Sequence, residues 1–230
     1  MSADTHNPER EKILILGGTA DARERAARLV ARGHHVITSL AGRTTDPFLP
    51  AGEVRIGGFG GPEGLARYLF ENGITRVIDA THPFAHRISE NARIACAAAG
   101  VPLEQLARPA WGRQPDDDWI EVTSLEDAAA ALPAEACVFL ALGRQYLSAF
   151  ESRQDCHFVV RMVDPPGVPL GFASFDLILG KPSSDPSEEQ ALLEAHRITH
   201  LVCRNSGGEA GYGKIVAARQ LGIPVIMIGR

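Results

Sequence analysis

The sequence predicts an α/β protein of two domains with largely parallel sheets, and three observations carry that prediction. Short apolar runs alternate with helix-periodic stretches along almost the whole chain. The first run, Ile13-Leu14-Ile15-Leu16, stops at Gly17-Gly18-Thr19 and passes directly into a helical pattern. A succession of strand, loop, helix, glycine and strand then occurs twice, from Ile74 to Leu103 and from Ile198 to Val225.

Bulk properties bound the rest. A chain of 230 residues with 45% hydrophobic content can form one large domain or two of about 100 to 120 residues. Its formal net charge of -5 gives no broad basic surface, so neither nucleic acid nor membrane is an expected partner. Any anionic ligand must then meet locally placed Arg and Lys. Residues 1–10 are polar, include Pro8 and lack an apolar core, so they read as a flexible N-terminal tail and not a signal peptide. Runs such as 137–142 are too short to cross a bilayer, and a cytoplasmic location is expected. Cys96, Cys137, Cys156 and Cys203 show no C-x-x-C spacing, which favours reduced core thiols over disulfides or zinc.

In order, the expected strands lie near 13–16, 35–39, 54–56 and 76–79, then 137–142, 157–160, 177–179, 200–203 and 224–228. From Arg108 to Trp119 the alternation lapses into RPAWGRQPDDDW, and a new strand and helix begin around Glu121 and Ser124. The domain division therefore falls in that stretch, giving domains at 11–115 and 116–230. Gly100 and Gly222 fit positions just past helix ends, and Pro102 and Pro224 prevent the helices from continuing.

The turn at 17–19 has the layout of a phosphate-binding βα unit. Gly17 and Thr19 occupy the first two positions of the glycine pattern, Ala22 stands at the third, and free amides and the helix dipole would favour an anion. After the second strand no acid precedes Asp46, whereas Ser39, Arg43 and Thr44 could form a phosphate pocket. That favours NADP(H) over NAD(H), because a carboxylate suits a ribose hydroxyl and an arginine a 2′-phosphate. Asp79-Ala80-Thr81-His82-Pro83 follows a strand and enters a helix, with Pro83 expected at its first position. Ala80, Thr81, His82 and Pro83 thus read as a ligand-facing loop beside the cofactor. Asp79, His82 and His86 do not share one regular helical face, and no metal is expected there.

In the second half, Arg204-Asn205-Ser206-Gly207-Gly208 follows a strand and precedes a helix carrying Lys214, a combination that can hold a carboxylate or phosphate. Arg144 and Arg161 follow two further strands and could add to that face. Several classes drop out. Tyr68, Tyr146 and Tyr212 are followed four residues on by Asn72, Phe150 and Val216, so the Tyr/Lys pair of short-chain dehydrogenases is missing. Neither a G-x-S-x-G elbow nor a P-loop occurs.

Taken together, ILGGTADA at 15–22, GGFGGPEGL at 57–65, DATHPFA at 79–85, RPAW at 108–111, LGR at 142–144 and NSGG at 205–208 with Lys214 resemble the precorrin-6A reductase family of cobalamin biosynthesis. The resemblance covers nearly the whole chain. It departs at Arg204, where the family pattern favours Lys: the charge is kept and the donor geometry is not. It implies two Rossmann-like domains with an interdomain cleft, and NADPH-dependent reduction of one carbon-carbon double bond in a precorrin macrocycle. The macrocycle's many carboxylates would meet Arg144, Arg161, Arg204, Ser206, Gly207, Gly208 and Lys214. Transient contact with neighbouring pathway enzymes is a further implied partnership. His82, Tyr212 and water remain open as the proton donor. Two alternatives stay beside this reading: a non-catalytic NADP(H)-sensing protein, and an NADP-dependent reductase of another substrate.

Overall fold

Runs of Ile, Leu and Val that are apolar at every position can be buried on both faces only in the interior of a sheet covered on both sides. The computed structural model, which describes residues 10–42 and 48–230, uses them in that way in two compact units, Met1–Ala107 and Arg108–Arg230.

The first unit contains β1 (Lys12–Leu16), α1 (Ala20–Ala31), β2 (His35–Leu40), β3 (Glu53–Ile56), α2 (Pro62–Glu71), β4 (Arg76–Asp79), α3 (His86–Ala99) and β5 (Leu103–Gln105). Its strands are all parallel in the order β3-β2-β1-β4-β5. Central β1 sends Ile13 and Ile15 to one face, against Ala22, Ala26 and Leu29 of α1. Leu14 and Leu16 go to the other, against Leu65 and Leu69 of α2 and Ala92 and Ala95 of α3.

The second unit contains β6 (Trp119–Val122), α4 (Leu125–Ala130), β7 (Cys137–Ala141), a 3-10 helix (Arg144–Phe150), β8 (His157–Met162), β9 (Phe175–Leu179), α5 (Pro186–Ala195), β10 (His200–Arg204), α6 (Gly213–Leu221) and β11 (Val225–Ile228). These strands are also all parallel, in the order β6-β11-β10-β7-β8-β9. Val138, Leu140, Phe158, Val160 and Ile226 fill one face with Phe150. Phe139, Val159, Leu201, Val225 and Met227 fill the other, under Ile215 and Ala218 of α6 and Leu193 of α5.

Two sequence expectations need adjustment. Residues 108–115, drawn into the first domain on composition, belong to the second unit, where Trp111 packs on the core and exchanges two hydrogen bonds with the Asn205 side chain. Helix α3 begins at His86 and not at Pro83. The Asp79 carboxylate takes both the N–H and the hydroxyl of Thr81, turning the chain early, and a further turn closed by Ala85 N–H on His82 O (2.7 Å) holds Pro83 ahead of the helix. Gly100 and Gly222 do end α3 and α6 in the left-handed conformation, at φ 65° and 64°.

In open parallel sheets ligands gather beyond the carboxyl ends of the strands where the winding direction reverses. The first sheet reverses at β1 and β4, the second at β7 and β10.

Candidate functional site

At the reversal point of the first sheet the turn after β1 faces the loop after β4. Gly17 donates to Ser39 O (2.9 Å), and a Cβ on it would lie 2.6 Å from Thr38 Cγ2, so β2 itself demands the glycine. Gly18 has φ +109°, and no atom lies within 4 Å of where its Cβ would be. Its backbone is therefore open on the side a phosphate would approach. The Thr19 hydroxyl accepts from Ala22 N–H (3.1 Å) as the cap of α1 and donates to Ala80 O (2.8 Å), tying the β1 turn to the β4 loop. That hydroxyl is committed to the fold, and the first-turn amides and the helix dipole of α1 are what the turn offers an anion. Ala22 is fully buried beneath Gly17, where a larger side chain would separate α1 from the sheet. In the facing loop Ala80 is buried, Thr81 is bound to Asp79, Pro83 is half-buried and His82 is exposed. His82 Nδ1 accepts from Phe84 N–H at 3.3 Å.

Of the expected phosphate pocket, Arg43 and Thr44 lie outside the described residues. Ser39 is buried near the end of β2, and its hydroxyl accepts from Arg55 Nη1 (2.9 Å). Arg55, on β3 directly opposite Ser39, was not singled out from the sequence. Its place at the carboxyl end of a strand, just before the GGFGG loop, was the available signal.

At the reversal point of the second sheet, exposed Arg144 opens the 3-10 helix after β7, and half-buried Arg204 ends β10 with its guanidinium 3.5 Å from the Tyr146 ring centroid. Gly207 and Gly208 have φ 65° and 74°, but ligand approach is not their first role. A Cβ on Gly207 would stand 2.0 Å from Pro109 O, so the glycines admit the 108–111 segment. Trp111 Nε1 donates to Gly208 O (2.8 Å), and Arg230 donates to the carbonyls of Asn205, Ser206 and Arg108. Arg108 and Arg230, not among the expected ligands, thereby join Arg144 and Arg204 at this end of the sheet. Burial and the neighbouring Arg108 charge lower the Arg230 pKa.

Two expected ligands and one candidate proton donor have other partners. Arg161 forms a buried ion pair with Glu189 (Nη1–Oε1 2.6 Å), the two side chains being 8% and 1% exposed. Lys214 is buried and donates to Gly211 O, 5.0 Å from the Trp111 ring. Burial holds its pKa below the ordinary lysine value; Arg161 acts in the same direction and Cys203 and Glu189 against it. The Tyr212 hydroxyl accepts from Arg219 Nη2 (2.9 Å), next to the ion pair of half-buried Arg219 with buried Asp117. Of the two proposed proton donors, this leaves His82 as the one exposed at a strand end.

The first unit thus offers a parallel 3-2-1-4-5 sheet with an open glycine turn, and the second a parallel sheet with arginines at its carboxyl end. The family description "Precorrin-6x reductase CbiJ/CobK" matches residues 12–230. The chain belongs to the precorrin-6x reductase family. A precorrin-6A reductase of Sinorhizobium sp. is 46% identical over 99% of this chain and 88% of its own length. One of Mycobacterium tuberculosis is 42% identical over 95% of this chain and 88% of its own. A solved structure titled CobK precorrin-6A reductase superposes with a TM-score of 0.93 at 43% identity, covering 96% of this chain and 88% of that one. Precorrin-6x reductases are oxidoreductases acting on a CH–CH group, which implies a nicotinamide cofactor. The open backbone at Gly18 over the start of α1 fits such a group, because a Cβ would fill that space. Among the described residues no helix is long and apolar enough to cross a membrane.

Proposed function

We propose that this precorrin-6x reductase reduces one carbon-carbon double bond of precorrin-6A with NADPH, using the first unit for the cofactor and the second for the substrate's carboxylates. The observation that carries the reading is the open Gly17-Gly18-Thr19 turn at the head of α1, tied through Thr19 to the β4 loop at the reversal point of the first sheet. When bound, the cofactor supplies a hydride. The Gly17–Thr19 turn and the first-turn amides of α1 hold its pyrophosphate, and Ala80, Thr81 and Pro83 shape the floor beside it.

Arg144 and Arg204 hold substrate carboxylates, with the Ser206 loop kept in place by Arg230 and Trp111. Arg204 is braced against Tyr146, its guanidinium carbon 3.5 Å from the ring centroid, which limits the directions its charge can take. As an imidazolium, His82 would give its proton to the carbon next to the one reduced and return to the neutral ring, in which Nδ1 accepts the Phe84 N–H. Relatives at 42% to 46% identity are named precorrin-6A reductases, and those at 25% to 29% cobalt-precorrin-6A reductases, which supports a cobalt-free macrocycle.

The test is loss of reduced-nicotinamide absorbance with precorrin-6A, cobalt-precorrin-6A and no macrocycle. Turnover only with precorrin-6A is expected. NADPH binding without turnover would overturn the reading in favour of a sensor.

A further inference from the structure

We propose that Arg55 is the residue by which the first unit distinguishes NADP(H) from NAD(H), receiving the 2′-phosphate on the free edge of its guanidinium. This rests on the reading of the first unit as the nicotinamide-nucleotide site. In a sheet wound as this one is, the ribose that carries or lacks that phosphate falls beyond the carboxyl end of β2. Ser39 stands there, and Arg55 is its register partner on β3.

The guanidinium is fixed before any ligand arrives. Nη1 donates to Ser39 Oγ and to Gly57 O, each at 2.9 Å, and Nη2 donates to Gly58 O at 3.1 Å. Its central carbon lies 3.8 Å from the Phe59 ring centroid and 5.0 Å from that of Tyr68. A guanidinium has five N–H donors. Three are used here, and Nε–H and the second Nη2 hydrogen remain, which together form the bidentate edge that matches a phosphate. Arg55 is half-buried, and among the described residues no hydrogen bond engages its Nε.

All three engaged acceptors are neutral, and among the described residues no carboxylate forms an ion pair with Arg55. Among the described residues the positive charge is thus left without a paired anion, at the place where one cofactor of the pair would have a dianion and the other a hydroxyl. Immobilising a guanidinium on two carbonyls, a hydroxyl and an aromatic face removes most of the ordering cost of a later bidentate contact.

The bare role that competes with this one is a clamp for the GGFGG loop. A clamp would serve both cofactors equally. Titration calorimetry with NADPH, NADH, adenosine 2′,5′-bisphosphate and 5′-ADP separates the two, using Arg55→Gln and Arg55→Lys. In Arg55→Gln we expect affinity for NADPH and the bisphosphate to fall about ten- to a hundredfold, with NADH and 5′-ADP changed less than about twofold. Retained NADH binding shows at the same time that the variant is folded. Arg55→Lys, which keeps the charge and loses the fork, should fall between. Equal losses for all four ligands, or no loss for any, would overturn the proposal. Wild-type protein that binds NADH as tightly as NADPH would instead overturn the NADP(H) reading itself, whatever the variants do.

Discussion

Replacing Glu189 by Gln should destabilise the second unit more than any change of a surface charge. The substitution keeps an oxygen for Ser183 N–H (2.8 Å) and for Arg161 and removes only the negative charge. Two buried cations, Arg161 and Lys214, then remain without an anion. Breaking a buried ion pair from one side costs about 3 to 5 kcal/mol. Glu189 Oε2 is buried without a partner in the wild type, and this existing penalty puts the expected loss near the lower end, about 3 kcal/mol. With a urea slope of roughly 1 to 3 kcal/mol per molar, the midpoint should fall by about 1 to 3 M. Trp111 and Trp119 are the two tryptophans of the chain and both belong to the second unit, so their fluorescence reports that unit's unfolding. The double replacement Arg161→Met with Glu189→Met removes both charges and should return stability to within about 1 kcal/mol of wild type. A midpoint unmoved by Glu189→Gln would refute a structural pair. A stable double variant with a tenfold higher KM for the macrocycle would restore Arg161 to the substrate site.

Gly18→Val forces a β-branched residue into φ +109° and fills the open space over the turn; nicotinamide-nucleotide affinity should fall more than about tenfold in protein whose far-UV circular dichroism matches wild type, and unaltered affinity by calorimetry would remove the turn from the site. Thr19→Ala deletes both the cap of α1 and the link to Ala80 O, and should cost the first unit about 1 to 2 kcal/mol in circular-dichroism melts; an unchanged melt counts against that link. Burial holds the His200 imidazole below its ordinary 6.5, with Asp118 opposing. As pH falls below that value the unfolded chain binds the proton first, so stability is lost until the folded ring is protonated as well, and His200→Gln should flatten this decline in tryptophan-monitored urea titrations; an equally steep decline would exclude His200. Burial pushes the Cys96 and Cys203 thiols up to about 11, so an aromatic disulfide reagent at pH 8 should modify half-buried Cys137 far faster than the other three, and all four after denaturation; rapid modification of three or four thiols in the native protein would contradict the packing.

What the sequence reveals and what it hides divide along a physical line. Strands such as β1 and β10 announce themselves because full burial on both faces requires an unbroken apolar run, and the glycine ends of α3 and α6 because few other residues tolerate φ near +65°. The same local logic located the Gly17–Thr19 turn and the arginines after β7 and β10. Pairings across the fold have no such signature. Glu189 lies 28 residues from Arg161, and nothing in either neighbourhood says that they meet. Arg55 could be matched to Ser39 only once the β2–β3 register was known. Gly207 carries the look of an anion loop, yet its lack of a side chain is explained first by Pro109 O, which lies close to it although 98 residues earlier in the chain. Pro83 misled in a subtler way: its fixed φ suits a first helical position, but the carboxylate of Asp79 had already turned the chain.

The position of β11 gives the two units different histories on the ribosome. Every strand of the first sheet has been synthesised once Gln105 is made, so that unit can close while the remainder is still being translated. The second cannot. Among the described strands its opening one, β6, pairs only with β11, and β11, made after all the others of its sheet, lies in the interior with β10 on its other side. Trp119–Val122 therefore waits without a neighbour through about a hundred residues of synthesis, and the Arg230 contact to Arg108 spans 122. A stalled or clipped chain lacking Val225–Ile228 would carry a split sheet with two unpaired inner edges, the kind of surface that recruits other strands and that cellular quality control removes.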